Sequence, residues 1–177
     1  MKSPRLVSSI CVLSFMLGGC SVQSSQLSSI INLMRGSPVD YSESAWLIRY
    51  GEYRAQVQAL SFEGGILFSN SRGDQAFFDG WAITRAAGLG LERGSWSVKD
   101  DAGRRHFTHR SRLSSYPACA PWEKEAMSGV VQFTQSCQGA SVYRNKILVN
   151  KKGQITLIRQ SLNAGASFVT LSKLQKD

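Results

Sequence analysis

Between Arg104 and Arg112 the chain gathers Arg104, Arg105, His106, His109, Arg110 and Arg112. In an extended strand alternate side chains share a face, so the spacing predicts Arg104, His106, Arg110 and Arg112 along one side. Guanidinium groups in such a stripe hold carboxylated or phosphorylated sugars and lipid headgroups through charge-assisted hydrogen bonds. A solvated strand face that repels edge pairing would use the same residues. Arg104, Arg105, His106, Arg110 and Arg112 are therefore the candidate residues for an anionic ligand.

Reactive groups of other kinds do not converge. There is no G-x-S-x-G elbow, no H-E-x-x-H, no P-loop and no C-x-x-C. His106 and His109 are the only histidines, and three residues apart on a strand they point to opposite faces, which prevents them from sharing a metal. Gly88, Gly90 and Gly94 imitate a dinucleotide fingerprint with the spacing one residue too long and without a βαβ unit, so they form a glycine-rich loop after a strand. Glu123 and Glu125 are the one close pair of glutamates, and a glycosidase would need two carboxylates across a cleft. The sequence thus predicts no catalytic residues, no metal site, no cofactor and no enzyme.

The four cysteines, Cys11, Cys20, Cys119 and Cys137, are the other chemically active groups. Lys2 and Arg5 precede an apolar run from Leu6 to Leu17. Twelve residues in helix would cover about 18 Å, short of the roughly 30 Å hydrocarbon core, so the run is a signal-peptide core and not a span. It ends at Leu17-Gly18-Gly19-Cys20, which resembles a bacterial lipobox, with Cys20 the lipid attachment site. The alternatives are an ordinary secretory signal containing a cysteine and an unprocessed buried helix. Ser21 stands where an inner-membrane lipoprotein commonly carries Asp, so the expected location is the outer membrane, lipid-anchored, on its periplasmic face. Three acyl chains at about 0.8 kcal/mol per buried methylene make such an anchor permanent.

Removal of Cys11 and acylation of Cys20 leave Cys119 and Cys137 in an oxidising compartment. A disulfide between them would close a loop worth about 3 kcal/mol in the chain-entropy view. Two buried thiols and a metal pair are the alternatives.

These groups need a scaffold. The sequence predicts a signal over 1–19, a lipidated tether over 20–26 and a single β-rich domain over 27–177. Leu27, Ile30, Ile31 and Met34 recur at helical spacing, with Gly36 and Pro38 to stop them, so one short N-terminal helix is expected. Its apolar stripe either covers an open sheet edge or lies on the bilayer. From Ser44 the period changes to two. Trp46, Ile48 and Tyr50, then Tyr53, Ala55, Val57 and Ala59, alternate with polar residues in two strands. Asp79-Gly80 is the strongest hairpin signal, through a type I′ turn. Further strands are expected over 95–99, 105–113, 130–134, 142–149, 154–162 and 166–174, and a brief helix over Trp122 to Met127. Ten or so antiparallel strands must curl or close to hide their edges. The expected fold is mainly β, an antiparallel half-barrel or barrel-like sheet. At 177 residues, 42% hydrophobic and net charge +9, the chain has material for one core and is neither disordered nor a two-domain enzyme.

Tyr53-Arg54-Ala55-Gln56, Phe68-Ser69-Asn70 and the run from Asp79 to Gly90 resemble the YjbF/GfcB family of capsule and exopolysaccharide-operon lipoproteins. Tyr143 to Val149, Gly153, Gln154-Ile155, Arg159 to Leu162 and the strand ending at Lys173-Leu174 resemble it again. Ser114 to Met127 and the Cys119, Cys137 pair depart from it. The resemblance implies a group 4 capsule or exopolysaccharide lipoprotein without enzymatic activity. It implies a non-catalytic accessory in polysaccharide export or assembly, whose partner is an acidic polysaccharide or polysaccharide-export proteins; the lipid anchor adds the outer membrane as a partner, and the periplasmic location expected from the lipobox excludes nucleic acid. Trp46, Trp81 and Trp96 are the aromatic candidates for stacking on sugars. A half-barrel carrier of lipid or glycolipid is the alternative, and an envelope-glycan hydrolase a more distant one.

Overall fold

The computed structural model describes residues 45–91 and 94–174. The signal, lipobox, tether and helix expected before them lie outside the described residues. Thirteen strands follow one another: β1 Ala45–Tyr50, β2 Tyr53–Phe62, β3 Gly65–Ser69, β4 Gln75–Phe78, β5 Ile83–Ala87, β6 Ser95–Asp101, β7 Arg104–His109, β8 Arg112–Pro117, β9 Glu123–Met127, β10 Val130–Gln138, β11 Val142–Asn150, β12 Ile155–Ser161 and β13 Phe168–Lys173. They make one antiparallel sheet in the order β8-β7-β6-β5-β4-β3-β2-β1-β13-β12-β11-β10-β9. Every strand beside a chain neighbour is a local hairpin, and only β1 with β13 joins distant segments. The mainly β, half-barrel expectation holds for the described residues.

The period of two sets the register. Trp46 opposes Val57, Ile48 opposes Ala55 and Tyr50 opposes Tyr53, so the apolar set of β1 and that of β2 share the inner face. Phe68, Phe78, Ile83, Ile158, Val169 and Leu171 extend it into one core. Each such side chain, fully buried, contributes about 1.5–3 kcal/mol.

Three local expectations are corrected. Residues 105–113 are not one strand, because Arg110 and Ser111 both take positive φ (48° and 65°) and turn the chain into β8. Positive φ at both central residues is the type I′ requirement that the right-handed twist of a hairpin favours. Asp79-Gly80 does not make that two-residue turn. Asp79 Oδ1 instead accepts from Trp81 N at 2.9 Å and Ala82 N at 2.7 Å, which holds a longer loop over 79–82. Trp122 to Met127 is not helical, since β9 pairs along β10 from Glu123 opposite Thr134 to Met127 opposite Val130.

The sheet edges β8 and β9 are consecutive in the chain but do not pair with each other. The connector over 118–122 bridges this seam instead. Ala118 N donates to Gly103 O at 2.9 Å and Ala120 N to Ser136 O at 2.8 Å. The residue between them, Cys119, is bonded to Cys137 of β10.

Candidate functional site

The seam gathers exposed aromatic surface. Trp81, in the β4–β5 loop, lies 5.6 Å from the ring of Trp122 on the connector and 5.4 Å, edge-on, from Phe133 of β10. Trp81 is nonetheless 51% exposed. It is held there from behind, because its carbonyl accepts from Gln160 Nε2 at 2.6 Å and the loop backbone is fixed by Asp79. Lys124, exposed on β9, opposes Phe133 in the ladder and so shares its face. A flat apolar ring with a cation about one strand spacing from its neighbour can stack on a sugar face and meet a sugar carboxylate.

Of the other aromatic candidates, Trp46 is buried edge-on against Phe68 at 5.0 Å and cannot stack on a ligand. Trp96 is covered by His109, ring on ring at 4.1 Å. The spacing of the sequence treated the three tryptophans alike; cross-sheet contacts separate them.

The cationic stripe does not form as the alternation predicted. Arg104 and His106 point outward, and Arg104 is tied to β8 by Nε to Ser115 Oγ at 2.6 Å and Nη2 to Ser115 O at 3.0 Å. Arg110 sits in the turn. Arg112, beyond it, opposes His109 and therefore shares the side of Arg105 and Phe107, opposite to Arg104. The intervening two-residue turn reverses the chain, so continuous alternation cannot be counted through it. His106 and His109 do face opposite sides, and among the described residues no group of three His, Cys, Asp or Glu gathers that could hold a metal ion.

Arg105 turns inward, and its side chain is 3% exposed. Its Nη1 donates to Cys119 Sγ at 2.8 Å and to Gln135 Oε1 at 3.2 Å. Asn145 Nδ2 reaches the same Gln135 Oε1 at 3.1 Å and Cys137 Sγ at 3.5 Å, while its Oδ1 accepts from Ser161 N. Asp100, whose side chain is 52% exposed, places Oδ1 3.6 Å from Arg105 Nε, which makes no hydrogen bond. Nearby Tyr143 is buried with its hydroxyl unpartnered. Burial pushes that hydroxyl above the usual tyrosine value, against the pull of the Arg105 charge.

A second polar knot is structural. Asp74 accepts from Tyr53 Oη, Asn70 Nδ2 and Leu89 N, each at 2.7 Å. Burial disfavours its charge, but these three donors outweigh that and hold the carboxyl below its usual range. Gly88, at φ +71°, passes so close that a Cβ there would meet Asp74 Oδ1 at 2.8 Å, and one on Gly90 would meet the Tyr53 ring at 2.8 Å. Tyr53, Asn70 and Leu89, which lie in the segments that carry the N-terminal family resemblance, thus donate to one carboxylate, with Gly88 packed against it. Asp74 itself gave no sequence signal, since a lone Asp after Gly73 reads as turn chemistry.

No family model matches the chain, and no curated protein does. Among solved structures it is similar to the crystal structure of the hypothetical lipoprotein YmcC from Escherichia coli, with a TM-score of 0.53 and 14% identity over 88% of this chain and 99% of that one. At that identity the likeness is one of fold.

Proposed function

We propose that this chain is an envelope lipoprotein, attached through Cys20 to the periplasmic face of the outer membrane. There it acts without catalysis as an accessory in capsule or exopolysaccharide export, presenting the seam aromatics to an acidic glycan. The observation that carries the glycan reading is the exposed Trp81 ring backed by Trp122 and Phe133, with Lys124 on the same face. The order of basic start, apolar core and lipobox supports the anchor, and the resemblance to YjbF/GfcB lipoproteins supports the setting. So does the fold shared with a protein described as a hypothetical lipoprotein.

A lipid carrier would need width between the two halves of the sheet. Here they meet directly, through Gln160 to Ile83 N at 2.7 Å and Arg105 to Gln135 at 3.2 Å, which favours the accessory over the carrier. The test is a tryptophan-fluorescence titration with a polyuronate and with a neutral glucan of equal length. The polyuronate should quench or shift the emission saturably, Trp81→Ala should abolish the change, and Lys124→Gln should weaken it at least about fivefold, a loss of about 1 kcal/mol. An identical response to both polymers, or one that survives Trp81→Ala, overturns the reading.

A further inference from the structure

We infer that the Cys119–Cys137 disulfide is a thiol-exchange site, in which an external dithiol attacks Cys119 Sγ and Cys137 leaves as a thiolate received by Arg105 and Asn145. The inference is independent of the glycan reading.

It starts from a buried charge in an unusual setting. A guanidinium withdrawn from water costs several kcal/mol unless a counter-charge and hydrogen bonds repay it. Arg105 is almost wholly buried, yet its shortest contact is a sulfur, Cys119 Sγ at 2.8 Å. The one carboxylate near it, Asp100, is half exposed and 3.6 Å away. A disulfide sulfur is a weak neutral acceptor, whereas a thiolate is a full counter-charge. Cys137 Sγ also has Asn145 Nδ2 at 3.5 Å and Arg105 Nη1 at 4.0 Å. The donors around the sulfurs therefore match the reduced pair better than the oxidised one. Burial alone would raise a thiol's pKa, and a guanidinium and an amide N–H act in the opposite sense.

The two cysteines differ in exposure. Cys137 is 2% exposed. Cys119 is partly exposed, on a connector where its neighbours Ala118 and Ala120 are exposed and small. An attacking thiolate bonds to Cys119 Sγ, the Cys119–Cys137 bond breaks, and its electron pair leaves on Cys137 Sγ. The second thiol of the reductant, having lost its proton to solvent, then displaces Cys119 as a thiolate. The external dithiol ends as a disulfide and the protein pair is reduced by two electrons. Opening the bond releases a covalent hold between the connector that carries Trp122 and β10.

Two measurements test this. The intact chain is reduced with dithiothreitol, freed of it, and alkylated with iodoacetamide over a range of pH, with Cys137 followed by peptide mass spectrometry and the urea-unfolded chain as reference. The native midpoint should lie at least about one pH unit below the unfolded one. An equal or higher native midpoint overturns the inference, and this readout needs no variant. In dithiothreitol redox buffers, Arg105→Gln should make the disulfide harder to reduce at least tenfold in equilibrium constant, about 30 mV, while Arg105→Lys retains most of the native value. Equal potentials in Arg105→Gln and the native chain overturn it as well.

Discussion

Gln160 Oε1 accepts a hydrogen bond from Ile83 N at 2.7 Å, across 77 residues of sequence and six places in the strand order. Its Nε2 donates to Trp81 O at 2.6 Å, so one amide side chain occupies both the donor and the acceptor left by the end of β5 where the sheet folds over itself. Strands six places apart cannot share a backbone ladder, and Gln160 takes the place of one. Gln160→Leu keeps the volume and removes both bonds, leaving Ile83 N–H buried and unsatisfied. We expect a loss of about 2–4 kcal/mol in urea unfolding at unchanged m-value. A loss below about 0.5 kcal/mol would show that water replaces the amide at no cost.

The hydrogen bond from Tyr53 Oη to Asp74 bounds stability at both ends of the pH scale. The Asp74 carboxyl titrates below its unfolded value, so its contribution is present above the ordinary carboxylate range, about pH 4, and is lost as pH falls through the folded value. Its partner moves the other way. The bond to Asp74, and burial after it, raise the Tyr53 hydroxyl above 10.0, so that contribution is present below about pH 10 and is lost as pH rises through the raised value. Asp74→Asn should flatten the acid limb of a plot of unfolding free energy against pH, and Tyr53→Phe the alkaline limb. A Tyr53→Phe curve that still falls as steeply above pH 10 would assign the alkaline limb to another group.

What was legible follows the range of the interaction. Alternation in β1 and β2 gave the inner set from Trp46 to Ala59 because each residue's face depends on its strand alone. The break between the strands expected over 142–149 and 154–162 is likewise local, and the chain turns there between β11 and β12. The pairing of Cys119 with Cys137 agrees with the expectation that Cys11 is removed and Cys20 acylated, which leaves these two to pair. Failures came where one residue changes the count or a distant group sets the environment. Arg110-Ser111 carries no Asn-Gly or Asp-Gly signal, so the period of two runs straight through the turn and places Arg112 on the wrong side. Pro121 made Trp122 to Met127 look like a helix start, whereas the neighbour β10 decides that segment. No periodicity marks the roles of Gln160, Gln135 and Asn145, because those roles lie in partners reached across the core.

The anchor is tested at its sulfur. Acylation needs the Cys20 thiol, so the native chain should incorporate labelled palmitate and sediment with outer membranes. Cys20→Ala should take up no label and leave that fraction. Label in Cys20→Ala, or none in the native chain, removes the anchor.

The arginines next to each other in sequence should behave unlike each other on an acidic-polysaccharide column. Arg104 is exposed on the outer face, and Arg112 is exposed beyond the turn. A polymer that approaches the surface meets their charges within a Debye length, about 8 Å at physiological salt. Arg105 lies behind the sheet with its side chain 3% exposed and its Nη1 committed to Cys119 and Gln135, and no polymer can form a bidentate contact with it while the seam is closed. Arg104→Gln and Arg112→Gln should each lower the salt needed for elution, their double variant more so, and Arg105→Gln should leave it nearly unchanged. A shift for Arg105→Gln as large as for Arg104→Gln would mean that the inward residue reaches the ligand, and that the acidic chain enters the seam where the disulfide lies.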